Sequence, residues 1–201
     1  MRKVLVLLLC LGLIACSGSG RRGGDAAPVI YDFGAPAARL ADAGALEGYA
    51  LEVRAPLWFD SLGITYRLAY ADPSRLRDYT RARWAGPPAQ LIQQRLMQRL
   101  TLVPHGQART QCVLRIEIDE FSQVFDTVNA SRGVLQGRLV VLDRQRGRLA
   151  AEDVKIEKPA ASADAPGGVA ALIATVDHLA GQLPGWVDSL RRSKLSGACG
   201  S

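Results

Sequence analysis

One strand whose apolar phase slips by a single residue restricts the fold more than any other feature. Cys112, Leu114, Ile116 and Ile118 alternate with Val113, Arg115, Glu117 and Asp119, which is the period of a half-buried strand. Beyond Glu120 the apolar positions move to Phe121 and Phe125. Side chains on a strand alternate with a period of two, so a one-residue slip is what a β-bulge produces. Val134 to Leu142 follows and is nearly continuous in apolar character. Asp143 to Gly147 has the length of a hairpin turn, and Leu149 to Glu157 supplies a third strand with Val154 and Ile156 inward.

Upstream, Val29 to Phe33 is a short β-type run closed by Gly34, and residues 35–48 read as an Ala- and Gly-rich connection. Tyr49 to Arg54 and Ile64 to Leu68 alternate as strands, and Arg75 to Tyr79 is a candidate hairpin partner across Asp72-Pro73-Ser74. Gly86-Pro87-Pro88 can open a helix, because proline is tolerated in a first turn. Leu91, Ile92, Leu96 and Leu100 then share one helical face, and Pro104-His105-Gly106 stops it. A second stripe steps by three and four from Val169 through Leu172, Val176, Leu179, Leu183 and Val187 to Leu190. Pro184-Gly185 is expected to kink or interrupt that helix. Strands, helix, strand meander, helix is the order of an α+β, two-layer domain: a mainly antiparallel sheet with two helices packed on one face.

The amino end speaks for the compartment. Arg2 and Lys3 precede an apolar run from Val4 to Ile14, the layout of a secretory signal. The run falls short of the roughly 20 apolar residues that span a bilayer as a helix. It ends in Leu13-Ile14-Ala15-Cys16, which resembles the bacterial lipobox. The resemblance implies cleavage before Cys16 and acylation of its thiol. Each buried methylene of an acyl chain contributes about 0.8 kcal/mol, so two or three chains hold a domain firmly. Ser17 in place of Asp after the cysteine implies, by resemblance to proteobacterial sorting, the periplasmic face of the outer membrane. The expected parts are therefore a signal peptide at 1–15, a lipidated tether at 16–28, a folded domain at 29–195 and a tail at 196–201. The tether is rich in Gly, Ser, Arg and Ala, a flexible composition. Loss of the leader lowers the formal net charge of +6 by the two cations Arg2 and Lys3. Such a mild balance suits a negative membrane or partner surface and does not demand nucleic acid.

An ordered set of features resembles the ABC-type transport auxiliary lipoproteins, the PqiC-like family. Tyr31-Asp32-Phe33 follows the tether, then come Ile64-Thr65-Tyr66-Arg67, Tyr79, Arg83-Trp84-Ala85 and Pro87-Pro88 with the helix containing Leu91. Further on lie Leu142-Asp143, Gly147 in the turn, and Trp186-Val187 at the end of the last helix. The resemblance covers nearly the whole mature chain. It implies a compact α/β domain and a non-enzymatic role beside ABC transporters and MCE-domain proteins that move lipids between the envelope membranes. The implied partners are MCE and ABC components, the membrane through the lipid anchor, phospholipid and, since some members form rings, further copies of the chain. An outer-membrane lipoprotein assisting lipopolysaccharide or envelope assembly is the alternative.

Four side chains are candidate partner or lipid contacts: Arg67, Arg83, Trp84 and Trp58. Tryptophan and arginine are favoured at binding hot spots. Trp84 reads better as a core cap, Trp58 as a core edge after Pro56, and Arg67 as the more exposed member of its strand. Arginines are dense from Arg67 to Arg99, opposed only by Asp72 and Asp78, which suits phosphate headgroups or a solvated face. Cys112 and Cys199 are free to pair in an oxidising compartment, but the apolar face around Cys112 favours a buried thiol. His105 and His178 are the only histidines and have no metal-ligand spacing. Glu117, Asp119 and Glu120 read as a solvated strand face rather than paired catalytic carboxylates. No cofactor and no metal are expected.

Overall fold

The strand with the phase slip carries the sheet. In chain order the elements are β1 (Val29–Tyr31), β2 (Tyr49–Arg54), β3 (Gly63–Leu68), β4 (Asp72–Trp84), helix α1 (Pro88–Leu100), β5 (Val103–Pro104), β6 (Cys112–Thr127), β7 (Ala130–Leu142), β8 (Arg148–Pro159) and helix α2 (Ala165–Ser193). Two 3-10 segments, Ala41–Leu46 and Leu57–Phe59, lie in the early connections. The computed structural model describes residues 27–35, 38–107, 110–193 and Cys199. The expected signal peptide, Cys16 and nearly all of the expected tether and tail therefore lie outside the described residues.

β6 pairs with β7 along its whole length, and β7 pairs with β8, all antiparallel. Its other edge is shared by two strands that run parallel to it. β2 covers Cys112 to Glu117, and β3 covers Gln123 to Phe125. Between them the β6–β7 register shifts from Ile118 to Glu120, the bulge foreseen from the apolar phase. Ile118 and Phe121, at odd spacing, both point into the core as a result. Gly137 opposes Ile118 there, and a Cβ on it would lie 1.9 Å from the Glu117 carbonyl oxygen. β4 pairs antiparallel with β3 and parallel with β1, while β5 flanks β2. The longest ladders are antiparallel, so the sheet is mainly so.

β4 is longer than its sequence implies. It runs from Asp72 to Trp84, because β3 and then β1 supply pairing partners for the Arg83-Trp84 end. Helix α1 stops at Leu100 rather than at the Pro104 breaker, since Thr101 takes a left-handed conformation, φ 57° and ψ 30°.

Helix α2 begins where Asp164 accepts a hydrogen bond from the Gly167 N–H at 2.9 Å, with Pro166 in the first turn. Of the kink or interruption expected at Pro184-Gly185, the interruption is absent: the helix continues through Pro184. A proline inside a helix costs about 3 kcal/mol. Burial of Leu172, Val176, Leu179, Leu183 and Val187 returns on the order of 10 kcal/mol, so the stripe prevails.

Both helices cover one face of the sheet. α1 packs on β2 and α2, and α2 crosses β6, β7 and β8. Close approach of α2 to β7 depends on Gly133, whose Cβ would lie 2.7 Å from the backbone of Ala171 and Leu172. Trp84, Phe33 and Phe121 form an aromatic group in this core, with ring centroids 5.4 to 6.3 Å apart.

Cys112 and Cys199 are joined by a disulfide, which corrects the expectation of a buried free thiol. Both cysteines are buried. The apolar strand face does shield Cys112, but Cys199, beyond α2 in sequence, returns to the start of β6. That return, made 87 residues away in sequence, is a tertiary fact.

Candidate functional site

The face of the sheet turned away from the helices is a mat of paired charges. A small apolar group, Val113, Val140 and Leu142, lies among them. Arg115 donates from Nε to Glu52 at 2.9 Å and lies 3.6 Å from Glu117. Arg54 and Arg146 also reach Glu52, at 2.8 and 3.3 Å. Burial alone would raise the Glu52 carboxyl. Hydrogen bonds from Arg115 and Arg54, with the charges of Arg115 and Arg146, hold it below the usual carboxylate range instead. Arg138 meets Asp153 at 2.8 Å, and Arg132 bridges Asp126 and Glu157.

Arg67 belongs to this mat. Its guanidinium grips both oxygens of Glu120, at 3.2 and 2.9 Å, and donates to the carbonyls of Pro73 and Ser74. Only about a quarter of its side chain is exposed. The expected free surface arginine is thus a strut that ties the start of β4 to β6. Glu120 also accepts from the Ser122 hydroxyl. Of the three carboxylates of this segment, Glu117 and Glu120 are engaged by arginine.

Trp84 is 1% exposed and packs edge-on against Phe33, so it is a core residue and not a contact. Its neighbour Arg83 faces outward and is exposed. Arg95 and Arg99, counted with the arginine-rich stretch, are likewise inward. Arg95 forms a two-pronged pair with Asp177 and donates to the carbonyls of Phe33 and Ala35. Its position was legible, since residue 95 falls on the same helical face as Ile92 and Leu96. Arg75, Arg77, Arg81 and Arg83 on β4 make no salt bridge among the described residues.

Trp58 is 71% exposed and Leu57 85%, while Phe59 turns into the core. The apolar knot after Pro56 is therefore split: one aromatic anchors the 3-10 turn and the other protrudes. Sequence reasoning set Trp58 at a core edge because nothing in a three-residue run says which ring faces in. It missed Leu57, Leu62, Val29 and Ile30, all of them exposed. The signal for Ile30 was its place between Val29 and Tyr31 in a strand too short to be covered on both faces.

A second polar group lies inside. Tyr79 donates to Gln123 Oε1 at 2.8 Å, and Gln123 Nε2 donates to Ser131 at 2.7 Å. Burial pushes the Tyr79 hydroxyl up to about 12, with the neighbouring Tyr66 and Asp164 adding to the rise. It is a structural donor across the physiological range. A shallow groove of about 440 Å³ at the end of the sheet is lined by His105, Gln111, Asp143, Arg144 and Arg146 among others. Its groups pair with one another: Arg146 contacts His105 at 3.1 Å, and Asp143 accepts from the Gly147 N–H at 2.7 Å. Among the described residues, no group of three or more His, Cys, Asp or Glu side chains is placed to hold a metal. No described helix is long and apolar enough to cross a membrane.

The fold is shared with solved proteins. A Xanthomonas campestris protein, XCC0632, of family DUF330, superposes with a TM-score of 0.67 at 18% identity, covering 82% of this chain and 98% of that one. An uncharacterised protein superposes with a TM-score of 0.61 at 14% identity, covering 80% and 99%. A comparison with curated proteins gave no match. Residues 31–183 match the family described as the ABC-type transport auxiliary lipoprotein component. That span runs from β1 well into α2 and takes in nearly all of the core, so the chain belongs to the ABC-type transport auxiliary lipoprotein family.

Proposed function

We propose that this protein is a non-enzymatic accessory subunit of an ABC/MCE-type system that moves lipids between the two membranes of the envelope. Acyl chains on Cys16 hold it at the periplasmic face of the outer membrane. The observation that carries this reading is a match to a transport auxiliary family over 31–183, set behind a lipobox at Leu13-Ile14-Ala15-Cys16. The paired state of the sheet's charged face supports a positioning role, since groups engaged in mutual ion pairs are not poised to transfer protons.

Two experiments test it. Affinity purification from detergent-solubilised membranes is expected to bring down an ABC ATPase, its permease and an MCE-domain protein. Recovery of an outer-membrane β-barrel protein in their place would support a role in lipopolysaccharide or envelope assembly and defeat the transport reading. Mass spectrometry of the mature protein is expected to show an acylated Cys16, and Cys16→Ala to leave the protein unprocessed or released from membranes. An unmodified residue 16 would remove the anchor.

A further inference from the structure

Four of the five most exposed large apolar side chains, Leu57, Trp58, Ile30 and Val29, lie at the corner formed by the connection before β3 and by β1. Leu57 and Trp58 protrude from the 3-10 turn, and the same connection ends at Leu62, 39% exposed, whose carbonyl accepts from the Trp84 N–H at 2.8 Å. One residue on, Gly63 pairs with Arg83 of β4, and Arg83 pairs with Ile30 of β1. Neighbouring strands lie about 4.8 Å apart, so Gly63, Arg83 and Ile30 form a row roughly 10 Å long on the outward face. Ile30 is 58% exposed and Val29 54%. Elsewhere among the described residues the exposed large apolar side chains are Val128 in the β6–β7 turn, 64%, Tyr70, 48%, Leu76, 39%, and Val103, 38%.

We infer that this corner, led by Leu57 and Trp58 and flanked by Ile30 and Arg83, is a contact with the surface of a phospholipid bilayer. The inference rests on the lipid-anchor reading of Cys16. Three observations favour a bilayer over a protein. The chain from the lipobox cysteine enters the domain at β1, so the patch lies where the anchored end arrives. Fully extended, the stretch from Cys16 to Pro28 reaches at most about 45 Å, which keeps this corner within range of the membrane. The chemistry is that of a headgroup boundary. An aromatic with an apolar body and a polar N–H stands beside aliphatic side chains, with Arg81 and Arg83 exposed and, among the described residues, without salt bridges, to meet phosphate. The two largest exposures, Leu57 at 85% and Trp58 at 71%, belong to adjacent side chains of one three-residue 3-10 turn, far short of the roughly 800 Å² that each partner gives a stable protein interface. Because the anchor already confines the domain near the bilayer, a few inserted side chains suffice to orient it. Asp60 and Asp78 lie close by, so apolar insertion and not net charge is the leading attraction.

The test uses the full-length lipidated protein in phosphatidylethanolamine–phosphatidylglycerol vesicles, with and without phospholipid brominated near the headgroup end of its acyl chain. Trp58→Phe identifies the reporter, because Trp84 is buried and Trp186, on α2, donates to Glu152 of β8. The brominated lipid is expected to quench roughly a third of the emission, one tryptophan in three, and Trp58→Phe to abolish that loss. Leu57→Asp is expected to reduce it. Protein that floats with the vesicles but shows equal quenching with and without Trp58 overturns the inference and leaves the anchor standing. Trp58 shielded from both brominated lipid and acrylamide overturns it in favour of a protein cover. Protein that does not float with vesicles at all defeats the anchor reading, and this inference with it.

Discussion

Arg95 on α1 and Asp177 on α2 meet as fork and carboxylate, Nε to Oδ1 and Nη2 to Oδ2 both at 2.9 Å. The remaining guanidinium nitrogen holds the Phe33 and Ala35 carbonyls, so one side chain joins both helices to the segment after β1. Breaking a buried pair by deleting one partner costs 3–5 kcal/mol or so, because the other charge is stranded. Asp177 is 29% exposed and keeps Arg99 at 3.9 Å, which softens that loss. Arg95→Leu is expected to destabilise by about 2–4 kcal/mol in urea unfolding, and Asp177→Asn by less. Equal stability of Arg95→Leu and wild type would show that the pair contributes nothing net.

The disulfide makes a second prediction. Cys112 and Cys199 close a loop of 87 residues, and a crosslink of that span typically stabilises by 2–4 kcal/mol or so through the unfolded chain. Cys199→Ser, or reduction, is expected to lower the thermal midpoint by several degrees. Thiol counting on the unfolded, unreduced protein checks the bond itself, and alkylation of Cys112 there would contradict it.

Glu52 sets part of the acid limb. Its folded pKa lies below the ordinary 4.5, so the stability it contributes is fully present above that value. It is lost as pH falls through the depressed folded value. Thermal unfolding followed from about pH 7 to about pH 3 should decline less steeply for Glu52→Gln than for wild type. A variant curve running parallel to the wild-type curve would place the acid sensitivity on other carboxylates.

Two glycines should respond to alanine with opposite signs. At Gly133 a methyl group would push Ala171 and Leu172 of α2 off β7, costing on the order of 1–3 kcal/mol. At Gly181, exposed on α2, a Cβ meets nothing within 4 Å, so alanine should stabilise by about 0.5–1 kcal/mol through helix propensity. Denaturant midpoints of the two variants are the measurement, and a stable Gly133→Ala would mean that α2 rides higher on the sheet than described.

Local pattern by itself determined much of this protein. The alternation of Cys112 to Ile118, the phase slip before Phe121 and the stripe from Val169 to Leu190 specified a bulged strand, its meander and a long helix, because burial of one face forces a fixed period on neighbouring residues. The inward position of Arg95 was readable in the same way. Tertiary structure alone decided what depends on residues distant in sequence. The parallel pairing of β2 and β3 along one edge of β6, and the disulfide to Cys199, are long-range meetings that carry no local period. Helix α2 runs through Pro184 because the sheet beneath it outweighs a local preference. The contrast between Trp58 and Trp84 has the same origin: each is a tryptophan in an apolar or arginine-rich run, and only the presence or absence of Phe33 and Phe121 above it decides which one meets solvent.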